Sequence, residues 1–321
     1  MPASSIILPV PVSKANLRFT SNLRSLGRRL SRFKVFHPLR PLARSVLHTA
    51  EPAGKVLFDA TPKIPSDRGC STITIISANL WHDYPHFRRM NERLVGFIEL
   101  VKTENADILL LQEVARTPFL KVDERLADEL KMAYVYSRAN GHHSAIGFEE
   151  GLAIFSRYPM RKPSLRQLGG YSNPFMRRLA LGVVLDNPCG DLFALSTHLS
   201  MCSKQNATQT DQLLGWVRTV AGELPAIIGG DFNADESKPQ IKSTQRGWVD
   251  TFRKVNPTAD GTTHELHGPF GWIWRRHRLD YIFLQPGNKN YQVLETRHIR
   301  IPHAPHSDHH AVLTRLALVK I

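Results

Sequence analysis

Cysteine is scarce, with only Cys70, Cys189 and Cys202 among 321 residues. That count and spacing exclude a disulfide framework and a cysteine zinc site, and reduced thiols in a cytoplasmic setting are the simpler expectation. Long apolar runs are missing too. None approaches the roughly 18 residues a membrane helix needs, which excludes a chain spanning a bilayer by helices. There is no internal repeat and no long low-complexity tract. Acidic residues are absent from Met1 to Ala50, the first being Glu51. What remains is ordinary for a globular protein: 42% hydrophobic, 8% aromatic and 22% charged residues.

The net charge of +14 resembles a nucleic-acid signature until it is located. Residues 1–70 carry 12 Lys and Arg against 3 Asp and Glu, leaving 30 against 25, a net of +5, for residues 71–321. The chain therefore divides into a basic N-terminal arm with its linker, 1–70, and a mildly basic domain, 71–321. Leu23, Leu26, Leu30 and Phe33 recur at helical steps among the arginines, the pattern of a short basic amphipathic helix. Four readings are open for the arm: a disordered tail, a contact with an anionic membrane, a contact with nucleic acid or another polyanion, and an organelle transit peptide. A secretory signal fits poorly, because the apolar stretch from Ile6 is short and broken by proline. Glu51 to Gly69, rich in Pro, Asp and Lys, reads as a linker.

From Ser71 the pattern alternates. STITIISANL is β-branched and reads as a strand, and Phe87, Met90, Leu94, Phe97, Ile98 and Val101 then share one helical face. ADILLLQEV suits a buried strand, and GLAIFSR, LALGVVL, LFALSTHL, PAIIGGDF, LDYIFLQ and HAVLTRLAL follow as further strands. Leu213, Leu214 and Val217 mark a helix over about 207–220. The set predicts one two-sheet α/β or α+β domain.

Strand after strand ends in an acid, an amide or a histidine. These are Asn79, Glu113, Glu150, His198, Asp231 with Asn233, Asp280, and Ser307, Asp308 and His309. Carboxylate and carboxamide oxygens are hard ligands that suit Mg²⁺ or Mn²⁺ rather than zinc. Histidines with acidic partners supply acid/base chemistry near neutral pH. Together they point to metal-assisted hydrolysis of a phosphate ester.

The ordered series LLLQEV, EEGLAIFSRYP, STHLS, GGDFNA, RLDYIF and HSDHHAV, after the strand-ending Asn79, resembles the endonuclease/exonuclease/phosphatase superfamily from about Ile73 to Ala317. The resemblance implies a four-layer αββα sandwich of two face-to-face sheets flanked by helices. It implies that Glu113 binds a catalytic Mg²⁺ or Mn²⁺, helped by Asp308 and Asn79. It implies that Asp231 and Asn233 orient water and phosphate, and that His309, held by Asp280, acts as acid/base or stabilises charge. His198 with Glu150 resembles a second His–carboxylate pair. Two branches fit less well. Trp81 stands where the abasic-site nucleases usually carry an acid, and RHRLDYIF lacks the Trp-Cys-Asp-Arg element of the inositol phosphatases.

Two segments are candidates for substrate binding. Arg177 and Arg178 precede a strand and are read as possible phosphate contacts, against the alternative of exposed strand-entry residues. Trp272 and Trp274, interleaved with Arg275, Arg276 and Arg278, suit base stacking, a lipid interface or packing of a loop onto the core. The expected activity is that of a divalent-metal-dependent phosphodiester hydrolase, with nucleic acid slightly favoured and phospholipid or another small diester as the alternative. No obligate protein partner is expected.

Overall fold

The computed structural model describes residues 4–8, 25, 55–66, 72–169, 176–267, 272–301 and 305–319. In chain order the strands are β1 (Ser4–Ile7), β2 (Lys55–Asp59), β3 (Thr72–Asn79), β4 (Ile108–Arg116), β5 (Ala133–His142), β6 (Phe148–Ser156), β7 (Met160–Leu168) and β8 (Arg178–Leu185). They continue with β9 (Leu192–His198), β10 (Ala226–Asp231), β11 (Val249–Asp250), β12 (His264–His267), β13 (Ile273–His277), β14 (Asp280–Gln285), β15 (Tyr291–Ile299) and β16 (Ala311–Leu318). The helices are α1 (Met90–Thr103), α2 (Val122–Leu130), α3 (His143–Ile146), α4 (Ser203–Ala221), α5 (Pro239–Gly247) and α6 (Thr251–Val255).

Two large sheets face each other. One has eight strands in the order β1-β2-β5-β6-β4-β3-β16-β15, the other six in the order β11-β14-β10-β9-β8-β7. Strand alternation decides which side chains meet. Ile73 and Ile75 of β3 point between the sheets with Ile108, Leu110, Leu181, Val183, Ile227 and Ile282. Ile76 and Ala78 point outwards onto Phe97, Ile98 and Val101 of α1 and Leu126 of α2. On the far side, Leu195, Ile228 and Phe283 meet Leu213, Leu214 and Val217 of α4. The layers are therefore helix, sheet, sheet, helix, as expected. Strands covered on both faces read as continuous apolar runs, which is why IIS and ILLL carry no polar alternation.

The boundary at residue 70 is corrected. Lys55–Asp59, read as linker, is β2, paired antiparallel to β5 with Val56 fully buried. Ser4–Ile7 pairs with β2 and forms the outermost strand of the eight-stranded sheet. The basic amphipathic helix expected around Leu23 to Phe33 lies, apart from Ser25, outside the described residues. Deleting residues 1–60 is therefore expected to destabilise the domain. Burial of Val56 alone stabilises by about 2 kcal/mol, or about 5 °C in Tm for a domain of this size. A thermal melt of the truncated chain checks this, and an unchanged Tm would place β2 outside the cooperative fold.

The thiol expectation also changes. Cys189 is disulfide-bonded, whereas Cys202 is free and exposed.

Candidate active site

Three neighbouring strands set the first row of the site. β9 pairs parallel with β10, which places His198 beside Asp231, and β10 pairs antiparallel with β14, which places Asp280 beside Asp231. The two glycines before Asp231 lie within β10 and serve close packing rather than a turn. A Cβ on Gly229 would stand 2.5 Å from Leu110 Cδ1 in the opposite sheet, and one on Gly230 would stand 2.1 Å from the Thr197 carbonyl oxygen. Only glycine lets β10 approach both.

The facing sheet brings Asn79 and Glu113. β3 and β4 run parallel, and pairing of β4 with β6 slips between Leu111 and Val114. Glu113 sits in that irregularity with a left-handed φ of 53°. Such a conformation at a bulge re-aims a side chain and is seldom kept without a reason. Asn79 Nδ2 donates to Glu113 Oε1 at 3.1 Å and to Asp231 Oδ2 at 3.2 Å, joining the carboxylates of the two sheets. Its Oδ1 accepts from the Trp81 amide. Asn79, expected among the metal ligands, is thus engaged as a brace for both carboxylates.

The loop before β16 closes the site. His309 Nδ1 is 2.8 Å from Asp280 Oδ2, which fixes Nε2 towards Asp231 Oδ2 at 3.9 Å. His198 Nε2 is 3.5 Å from the same oxygen. One carboxylate oxygen therefore stands between two imidazoles. Asp308 accepts from Ser307 Oγ at 3.2 Å, and the backbone N–H of His309 donates to the same Oγ at 3.1 Å. Asn233, left-handed at φ 49°, donates its N–H to Asp231 Oδ1 at 2.8 Å and its Nδ2 to the Leu199 carbonyl.

Residues outside the quoted motifs complete the arrangement. His82 donates its backbone N–H to Glu113 Oε2 at 3.1 Å, with Nε2 at 3.4 Å from the same oxygen. Arg93 Nη1 reaches the carbonyls of Leu80, Trp81 and His306, tying the loop after β3 to the loop before β16. His264 packs its ring 4.5 Å from that of His309, and its Nε2 is 4.0 Å from Asp308. His82 lies just past the end of β3, a position that could have found it, whereas Arg93 stands within α1 and THELHG carries no sign of a site.

Burial and neighbours set the protonation of the cluster. Burial lifts the Asp231 carboxyl above the usual carboxylate range, with the His309 charge pulling the other way. Burial also pushes His309 down, but the carboxylates of Asp280 and Asp231 outweigh it and hold the imidazolium. His198 is driven well below the ordinary histidine value by burial and then by the Arg178 charge, so it stays neutral. One imidazole is thus a cation and the other a neutral base or donor, on either side of one carboxylate.

The expected His198–Glu150 pair does not form. The carboxylate near His198 is that of Asp231, and Glu150 instead accepts a hydrogen bond from Asn140 Nδ2. Glu150 lies on β6 directly beside Asn140 of β5, which engages its carboxylate. Burial raises its carboxyl, which the charges of His82 and Arg178 oppose. Arg177 is buried, with Nε donating to the Ala139 carbonyl at 2.7 Å. Arg178 is partly exposed, and its charge acts on both Glu150 and His198. Trp272 and Trp274 are 53% and 62% exposed, which sets aside core packing.

Acidic and imidazole donors stand close enough together to hold a metal ion. Glu113 and Asp308 are carboxylates, and Glu113 raises the Asp308 carboxyl as a like charge after burial has done so. A bound cation would relieve that repulsion. His264, Asp308 and His309 bring ligand atoms within 4.8 Å of one another, as do Asp231, Asp280 and His309.

Solved structures of other proteins share this fold. A protein from Beutenbergia cavernae, described as an endonuclease/exonuclease/phosphatase, is 21% identical at TM-score 0.60, covering 77% of this chain and 72% of that one. Another so described, from Bacteroides vulgatus, is 18% identical at TM-score 0.62, covering 78% and 100%. Zebrafish (D. rerio) TDP2, solved with a single-strand DNA product, is 16% identical at TM-score 0.61, covering 77% and 99%. None of the curated proteins matches this chain. The family model described as Endonuclease/Exonuclease/phosphatase family matches residues 76–309, a span that begins in β3 and closes on His309. With that span holding every acid, amide and imidazole just described, the chain belongs to the endonuclease/exonuclease/phosphatase family of phosphoester hydrolases.

Proposed function

We propose that the protein is a divalent-metal-dependent phosphodiester hydrolase. The observation that carries this reading is the placing of Asp231 Oδ2 between His198 at 3.5 Å and His309 at 3.9 Å. Hydrolysis of a diester takes a proton from water and gives one to a leaving alkoxide. Asp231 accepts the proton of the attacking water, which Asn233 helps to orient. His309, cationic and held by Asp280, stabilises the charge that develops on phosphorus and hands a proton to the leaving oxygen. Neutral His198 and Arg178 grip the phosphate from the other side. Asn79 keeps Glu113 and Asp231 at a fixed separation. Glu113 and Asp308 would hold Mg²⁺ or Mn²⁺, which supplies charge neutralisation and polarisation of a phosphoryl oxygen when bound.

A diester at a lipid surface is the substrate class we favour. Trp272 and Trp274 stand free in solvent on a ribbon rooted at His264, which suits an enzyme working against an interface. Nucleic acid is the second reading. A cavity of about 300 Å³ lined by Arg178, Gln167, Gln205 and Met201 adjoins the site, and TDP2 holds a DNA product. Initial rates with Mg²⁺ on sphingomyelin, a phosphatidylinositol phosphate, single- and double-stranded DNA, RNA, an aryl diester and an aryl monoester test both. The aryl diester is expected to exceed the monoester, and a lipid diester to exceed the nucleic acids. A preference for the monoester would overturn the proposed activity, and a preference for nucleic acid would decide for the second reading.

A further inference from the structure

β12 and β13 form a two-stranded sheet of their own, hydrogen-bonded to neither large sheet. At its base, His264 bridges to His309, so the ribbon springs from the site itself. Towards the other end every described residue is solvent-exposed: Leu266 and His267 on β12, Trp272 before β13, and Ile273, Trp274, Arg275 and Arg276 within it. Glu265 pairs with Arg276 at 3.3 Å and with Arg300 at 2.6 Å, and the Arg275 guanidinium lies 5.3 Å from the Trp274 ring centroid.

A lone two-stranded ribbon is marginal in water, and large apolar side chains on it cost further free energy unless something covers them. A stacking platform for bases offers aromatic rings on one face, with the other face backed by the protein. Here the described residues beyond Glu265 are exposed on both faces, and two of the four apolar ones, Leu266 and Ile273, are aliphatic and have no π-face for a base. Leu, Ile and paired Trp with arginines around them have instead the composition of a segment that sinks into the headgroup boundary of a bilayer. The rings and aliphatic chains lie among the upper acyl chains, and the guanidinium groups meet anionic phosphates.

We propose that the β12–β13 ribbon docks the protein on an anionic phospholipid bilayer, bringing the His264–His309 end of the site to the lipid surface. The inference deepens the lipid-surface reading of the substrate. Docking and hydrolysis are measured separately, so either can fail alone. The test uses the full chain and its Trp272→Ala/Trp274→Ala variant with three probes: phosphatidylcholine vesicles containing phosphatidylserine, pure phosphatidylcholine vesicles, and a single-stranded oligonucleotide. Co-sedimentation is measured at physiological salt, where exposed arginines still discriminate anionic vesicles, and again at high salt to suppress purely electrostatic contacts, the basic arm included. Wild type is expected to prefer the anionic vesicles and to lose tryptophan fluorescence to brominated acyl chains. The variant is expected to bind at least about tenfold more weakly at an unchanged Tm. Equal vesicle binding by the two proteins would overturn the proposal, as would absence of quenching. So would an oligonucleotide affinity that falls in the variant while vesicle binding stays.

Discussion

Asp231→Asn is expected to lower kcat on a small aryl phosphodiester by at least about 10²-fold, the scale for losing a positioned proton-transfer group. The substitution keeps the shape of a side chain that is nearly fully buried, and Asn233 can still donate to its remaining oxygen. What is lost is the negative oxygen standing between His198 and His309, which is also the acceptor of Asn79 Nδ2. Since the Asp231 charge also helps to hold His309 as a cation, the variant weakens both proton acceptor and proton donor. His309→Ala should cost a similar factor in kcat, but it is a less clean experiment. It strands the buried carboxylate of Asp280, an uncompensated charge worth about 3–5 kcal/mol of stability. A Tm near wild type for Asp231→Asn with a lower one for His309→Ala would agree with that distinction. Near-normal kcat in Asp231→Asn would contradict the role given to it.

Glu113→Gln is expected to raise the Mg²⁺ concentration for half-maximal rate by at least about tenfold, since even outer partners of a metal site commonly matter by 10–100-fold. Glu113 is partly exposed and held by its backbone twist, by Asn79 and by the His82 amide. The carboxamide retains one acceptor for those donors but removes the charge that repels Asp308 and would attract a cation. A Mg²⁺ titration of initial rates checks this, and an unchanged half-maximal concentration would remove Glu113 from the cation site.

Much of this was legible in the sequence because two kinds of pattern survive folding. Strands β3, β4, β9, β10, β14 and β16 are covered on both faces, so their apolar runs stand out from polar breaks. The chemistry sits where those runs stop, so Asn79, His198, Asp231, Asp280 and His309 could be picked out by position. Contacts made across the two sheets could not. Glu150 opens its motif as regularly as His198 ends its strand, yet β5 claims it through Asn140. Lys55–Asp59 lies among prolines and charges and becomes a strand because β5 offers an edge to Val56. β5 itself, AYVYSRANGH, mixes polar residues into its run and falls outside the apolar-run pattern. His264 and Arg93 reach the site only through tertiary packing, and Asn79 has the composition of a ligand but the hydrogen bonds of a brace.

The most direct test of metal-dependent diester hydrolysis is the initial rate of the full chain on an aryl phosphodiester, measured with Mg²⁺, with excess chelator, and with Mg²⁺ restored. Turnover with Mg²⁺ that vanishes in chelator and returns on re-addition is the predicted result, because the carboxylates of Glu113 and Asp308 have the composition of a hard-cation site. Full activity in excess chelator would contradict the account.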